Sequence, residues 1–273
     1  MTREEMIMAR LREHYEEALE HFKESNIVGI WLQGSQNYGL ETPKSDVDTK
    51  LIVTPSFKDI ALARKPVSTT HIRQNNEHID FKDIREYVTC FRKQNLNFLE
   101  ILFTPYFIIN PLYEEEWKKL VDHREEIARM NPYRAVKSMK GVAMEKYHAM
   151  EHRYPSKIDI IDTFGYDCKQ THHLVRVDNF LTMYKRDFLY AECLVPFGPM
   201  KNFLMDIKNN KYGLDTARNI AEIAKNHIEK LEKEFCAEHE DKEDPAMRAL
   251  LEEVSYNIMK TSVEEELKNE QKS

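Results

Sequence analysis

Asp46 and Asp48 lie one residue apart in the segment SDVDTK, residues 45 to 50. Alternate side chains of an extended chain share a face, so the two carboxylates point the same way with room for a divalent cation between them. Hard oxygen donors suit Mg²⁺ or Mn²⁺, and Mg²⁺ is commonly held by one or two carboxylates with water and phosphate completing its shell. Upstream, Gly34-Ser35 follows the apolar run IVGIWL, residues 27 to 32. A tight turn there can set backbone N–H groups and the Ser35 hydroxyl against phosphate oxygens. Asp-x-Asp by itself arises readily on an exposed strand edge. A strand, then Gly-Ser, then Asp-x-Asp opening a second strand, is far more specific.

A second set of candidates sits on one helix. Lys169, His172, His173 and Arg176 fall on one narrow face at helical spacing, while Leu174, Val177, Leu181, Tyr184 and Phe188 fall on another. Lys and Arg about one turn apart suit triphosphate oxygens, with Arg able to bind two at once. Three other features read more plainly. His148 and His152 have a spacing at which two imidazoles can share zinc, but Glu151 is not placed as in H-E-x-x-H, so surface histidines are the expectation. Arg134, Lys137, Lys140 and Lys146 could face RNA, but a solvated charged face is the ordinary reading. Glu100 interrupts Phe98, Leu99, Ile101 and Leu102 and either supports the site or pairs with a cation.

These residues need a scaffold. Met6, Leu11, Tyr15, Leu19 and Phe22 recur at helical spacing and predict an amphipathic helix over 3–24. The apolar run at 27–32 predicts a buried strand, residues 47–54 a second and 78–81 a third, followed by a helix from Asp83 through Phe91. From residue 113 helical periodicity dominates, over 114–129, 133–152, 165–189, 200–209, 214–237 and 245–268. The expected architecture is therefore α+β: a small mixed-sheet domain over 1–110 with flanking helices, then an all-helical domain over 111–273. The Glu/Lys-rich end, 263–273, reads as a frayed, solvated helix end.

The 273 residues are 41% hydrophobic and 32% charged, the composition of a globular chain able to bury a core. No apolar stretch approaches the roughly 20 residues of a membrane helix, and MTREEMIMAR lacks the order of a signal peptide, so a cytoplasmic location is expected. Cys90, Cys168, Cys193 and Cys236 are scattered without CxxC spacing, which argues against a disulfide or zinc framework. A formal charge of -7 argues against indiscriminate nucleic-acid binding while leaving a local basic groove possible.

The segment GSQNYGLETPKSDVDTK, residues 34–50, resembles the signature of the DNA polymerase β nucleotidyltransferase superfamily, and more narrowly that of the RNA-ligase-associated nucleotidyltransferases. NLNFLEIL, residues 95–102, is similar to that family's Asn-Pro-Asn-x-x-Glu segment, with Leu96 in place of the proline. GYDCKQTHHLVRV, residues 165–177, resembles its Tyr-Asp-Thr-Lys-His-x-x-His-Leu-x-Arg helix, with Cys168 replacing the threonine and Gln170 the first histidine. The resemblance implies phosphate-binding roles for Gly34 and Ser35 and metal-ligand roles for Asp46 and Asp48. It places the superfamily's third carboxylate on Asp80, with Glu77 and Asp83 as close competitors. Lys169, His173 and Arg176 would bind the nucleotide, making the helical domain the part that closes the cleft.

The implied reaction is in-line attack of an acceptor hydroxyl on the α-phosphorus of a nucleoside triphosphate, ATP being the expected one, with loss of pyrophosphate. Mg²⁺ or Mn²⁺ would neutralise the entering and leaving oxygens, and Asp80 would ligate metal or take the hydroxyl proton. The link with RNA ligases favours an RNA end or tRNA as acceptor. Modification of a protein or small molecule, and a non-catalytic nucleotide-binding module, are the competing readings.

Overall fold

The computed structural model describes residues 2–43 and 45–271, so the last two residues of the expected frayed end lie outside the described residues. The chain divides into two compact units, Met1–Met130 with Glu243–Ser273, and Asn131–Lys242. The first unit runs α1 (Arg3–Ala18), β1 (Ile27–Gln33), β2 (Asp48–Val53), α2 (Phe57–Ala61), β3 (Ser68–Ile72), β4 (His78–Asp83), α3 (Ile84–Arg92), α4 (Leu96–Leu99), β5 (Phe107–Ile109), α5 (Glu114–Asp122) and α6 (Arg124–Ala128). The second holds α7 (Pro132–Ala149), α8 (Ile158–Phe164), α9 (Cys168–Lys185), α10 (Tyr190–Leu194), α11 (Gly198–Lys208) and α12 (Leu214–Glu238), after which α13 (Pro245–Glu270) returns to the first unit.

The fold is α+β, as expected. Five strands form one sheet in the order β3-β4-β2-β1-β5, with β2 and β4 parallel and every other pair antiparallel. β1 lies inside the sheet and is buried along six of its seven residues, which explains its unbroken apolar run. Gly29 is demanded by the neighbouring strand, since a Cβ there would stand 2.8 Å from the Ile108 carbonyl oxygen.

The two faces of β2 and β4 divide the labour. Leu51, Val53, Ile79 and Phe81 pack with Ile30 and with Ala18 of α1, while Ile7 and Leu11 of the same helix cover Leu32 and Val47. A capping box between Thr2 and Glu5 starts α1, which ends at Ala18, short of the expected residue 24. The opposite face carries Asp48, Lys50, Asp80 and Lys82, with the Phe98 ring of α4 under both lysine heads at 4.3 and 5.0 Å.

The strand signals end near residue 110, yet the sheet-bearing unit continues through α6 and is completed by α13. Trp117 of α5 packs on Trp31 of β1 with ring centroids 4.2 Å apart. The Ser262 hydroxyl of α13 lies 2.6 Å from the Thr54 hydroxyl at the end of β2. In the second unit α9 is the central element, packing against α7, α10, α11 and α12. No described helix is long and apolar enough to cross a membrane, and all four cysteines are free thiols.

Candidate active site

The antiparallel pairing of β1 with β2 sets Gln33 opposite Asp48, so the chain leaving β1 at Gly34 lies beside the start of β2. Gly34 turns with φ 84° and ψ -155°, a backbone region open essentially to glycine alone, and Ser35–Asn37 follow as a single 3₁₀ turn. Three side chains hold this turn. The Asn37 amide donates to the Leu32 carbonyl at 2.9 Å, and the Thr104 hydroxyl donates to Asn37 Oδ1 at 2.6 Å. Arg3 donates to the Gln36 carbonyl and pairs with Glu41 at 2.8 Å. The register thus brings Gly34, just past the end of β1, beside Asp48 at the start of β2; Ser35 follows in the turn and Asp46 lies two residues before the strand.

Asp46 precedes β2 and is exposed; Asp48 opens it half-buried, its Oδ1 accepting the His78 N–H at 2.9 Å. Neither the Asp46 carboxylate nor the Ser35 hydroxyl has a hydrogen-bond partner among the described residues. Two carboxylates one residue apart in the chain, Asp46 exposed and Asp48 half-buried, are hard oxygen donors of the kind that suits a divalent cation drawing its remaining ligands from water and phosphate.

Asp80 is not gathered into a three-carboxylate cluster with them. The parallel register sets it beside Lys50, and the two pair at 3.1 Å with the lysine side chain only 5% exposed. Burial pulls the Lys50 ammonium below its ordinary pKa while Asp80 pulls it back up. Asp80 shares the Asp48 face but lies two positions further along β4 than His78, about 6–7 Å by strand rise. Among the described residues no three His, Cys, Asp or Glu side chains are placed to hold a metal ion by themselves; His148 and His152 are both exposed, and His152 lies beyond the end of α7.

Asp83 is the N-cap of α3, accepting the Arg85 N–H at 2.9 Å. Glu77 lies on the α1 side of the sheet, behind the carboxylates. Its side chain accepts from Arg10 at 2.7 Å, His14 at 3.0 Å, Arg73 at 3.1 Å, Asn75 at 2.8 Å and the Val47 N–H at 3.4 Å. These donors outweigh its burial and hold the carboxyl down at about 2. His14 is fully buried and its other ring nitrogen meets the Thr49 hydroxyl at 2.9 Å. Burial first of all keeps His14 below its usual pKa, so Thr49 donates to Nδ1 and the Nε2–H donates to Glu77. Reading the sequence for exposed polar residues misses His14, although its place among Ile7, Leu11 and Ala18 on one face of α1 marks it as inward-facing.

On α9 the expected cationic face is not uniformly open. Lys169 is exposed and His173 half-buried, but His172 and Arg176 are buried. His172 Nδ1 lies 3.0 Å from the Leu204 carbonyl of α11, and burial lowers its pKa to about 4. Phe188, expected to continue the apolar face, lies beyond the end of the helix and is exposed. The basic residues of α7 are locally occupied: Arg134 pairs with Asp241 at 2.7 Å, Lys140 with Glu232 at 3.2 Å and Lys146 with Glu145 at 2.7 Å, while Lys137 lies over the Tyr133 ring. Glu100 is buried, in the turn after α4.

Residues 11–181, more than half of the chain, match the model of a family described as the RNA repair pathway DNA polymerase beta family, RlaP. That span includes the Gly-Ser turn, Asp46, Asp48, Asp80 and the Lys169 to Arg176 segment. A search among curated proteins gives no match.

Proposed function

The chain belongs to the RNA repair pathway DNA polymerase beta family, a nucleotidyltransferase family, and we propose that it transfers a nucleoside monophosphate from a triphosphate, with ATP first among candidates, to a hydroxyl on an RNA end or tRNA. The observation that supports this reading is the β1–β2 pairing, which sets Gln33 opposite Asp48, so that the Gly34-Ser35 turn leaves β1 beside the start of β2. Ser35 and the backbone N–H groups of its turn bind triphosphate oxygens. Asp46 and Asp48 hold Mg²⁺ or Mn²⁺, which when bound supplies positive charge to the phosphates.

The acceptor oxygen forms a bond to the α-phosphorus as the bond to the bridging oxygen breaks and pyrophosphate leaves. Asp80, on the same face as Asp48 and steadied by Lys50, takes the proton of the attacking hydroxyl. Lys169, His173 and Arg176 contribute to nucleotide binding.

The test is transfer of label from α-labelled triphosphates to RNA ends, tRNA, proteins and aminoglycosides. Asp46→Ala and Asp48→Ala should each lower kcat by roughly 10²–10³-fold, the cost of removing one preorganised electrostatic group. Undiminished transfer by the double variant sinks the assignment, and transfer to protein or aminoglycoside alone overturns the RNA acceptor.

A further inference from the structure

Asp46 and Asp48 reach the site from a segment that is itself held from behind. Val47, between them, is 2% exposed; its side chain enters the cluster of Ile7, Leu11 and Leu32, and its N–H points to Glu77 Oε1 at 3.4 Å. Thr49, immediately after Asp48, is fully buried and tied at 2.9 Å to His14, which is tied at 3.0 Å to the same Glu77 carboxylate. That carboxylate also gathers Arg10 from α1 and Arg73 and Asn75 from the β3–β4 turn. One buried anion therefore joins two separate stretches of chain, α1 and the β3–β4 turn, to the residues on both sides of Asp48.

We infer that Glu77, acting through His14 and Thr49, is a positioning residue that sets the spacing of Asp46 and Asp48 for cation binding. The inference rests on the nucleotidyl-transfer reading for its role in turnover, but the geometric claim concerns cation affinity. Two carboxylates one residue apart repel one another before a cation arrives. A backbone clamped at the intervening N–H and at the next side chain spares the ion the work of ordering them. A conventional core position would be filled by an apolar side chain. Here Glu77 and His14 are 6% and 0% exposed, and every contact named for them is polar. Partners that orient metal ligands from behind typically change cation affinity or activity by about 10–100-fold when removed.

The experiment compares the full-length wild type with Glu77→Gln and Thr49→Val. Thr49→Val is nearly isosteric and removes only the hydroxyl link to His14, so it decides the matter if Glu77→Gln does not fold. Mn²⁺ affinity is read by electron paramagnetic resonance, and pyrophosphate release is titrated with Mg²⁺ at saturating triphosphate. The expected result is a cooperatively folded variant whose Mn²⁺ dissociation constant and half-saturating Mg²⁺ rise about 10–100-fold. Excess cation should restore kcat, and the triphosphate KM at saturating cation should stay within about twofold of wild type. A purely structural role would lower the melting temperature and leave the cation affinity of the folded protein unchanged, and that result overturns the inference. Wild type that binds Mn²⁺ but releases no pyrophosphate with any acceptor refutes nucleotidyl transfer instead, and the Mn²⁺ affinities of the variants still decide the role of Glu77.

Discussion

Gly34→Ala isolates the backbone of the candidate phosphate turn. At φ 84° and ψ -155° the residue occupies a region where an L side chain costs about 1–3 kcal/mol. No atom lies within 4 Å of the Cβ that alanine would add, so packing neither adds to nor offsets that figure. If the turn keeps its shape, the whole strain appears as lost stability, about 2–12 °C in Tm at roughly 2–4 °C per kcal/mol for a domain of this size. If the turn relaxes, Tm is spared and the backbone N–H groups of the turn leave the phosphate, raising the triphosphate KM by up to about 5–150-fold for the same energy. The assay is differential scanning calorimetry beside initial-rate kinetics on one preparation. Gly141→Ala is the control: it lies inside α7 with open space around it, so alanine should stabilise the helix by roughly 0.5–1 kcal/mol. A Gly34→Ala protein with wild-type Tm and wild-type KM refutes the argument that the turn requires this conformation.

His172 predicts a pH dependence within the helical unit. Burial holds its folded pKa at about 4, below the ordinary histidine value of 6.5, so between those values the unfolded chain binds a proton that the folded chain refuses. The stabilisation is fully present above about pH 6.5 and is lost as pH falls toward 4, a change of roughly 3 kcal/mol. Urea denaturation at several pH values should show it, with a flatter profile in His172→Gln; parallel profiles would sink it. Arg3→Ala should loosen the turn held through Gln36 and Glu41. Arg3 is 39% exposed, so the loss is modest, about 0.5–1 kcal/mol, read as a two- to fivefold rise in triphosphate KM at unchanged kcat. A fall in kcat with KM unaltered would contradict a role confined to the turn.

The strand-turn-strand carrying Asp46 and Asp48 was legible because its signals are local. An unbroken apolar run marks a strand buried on both faces, and glycine marks the backbone reversal after it. The long helices were legible for the same reason, with α12 and α13 close to their expected spans. β3 was not, because Ser68 to Ile72 form an exposed edge strand whose composition is that of a polar loop. β5, at three residues, is too short to show a period. The return of α13 to the sheet-bearing unit depends on pairings such as Thr54 with Ser262, which no local pattern encodes.

The carboxylates divide along the same line. Asp80 and Glu77 both precede or enter β4 and look equally eligible as a third acid in the sequence, but strand alternation sends them to opposite faces. Asp80 goes to the face of Asp48, where the register hands it to Lys50 instead of to a cluster of acids. Glu77 goes behind, where its donors keep it ionised and tie it to the backbone that bears Asp46 and Asp48. Choosing between them from composition is impossible, because both are acids beside the same short strand. Once β2 and β4 are paired in parallel, the register alone makes one a candidate for chemistry and the other a candidate for holding the chemistry in place.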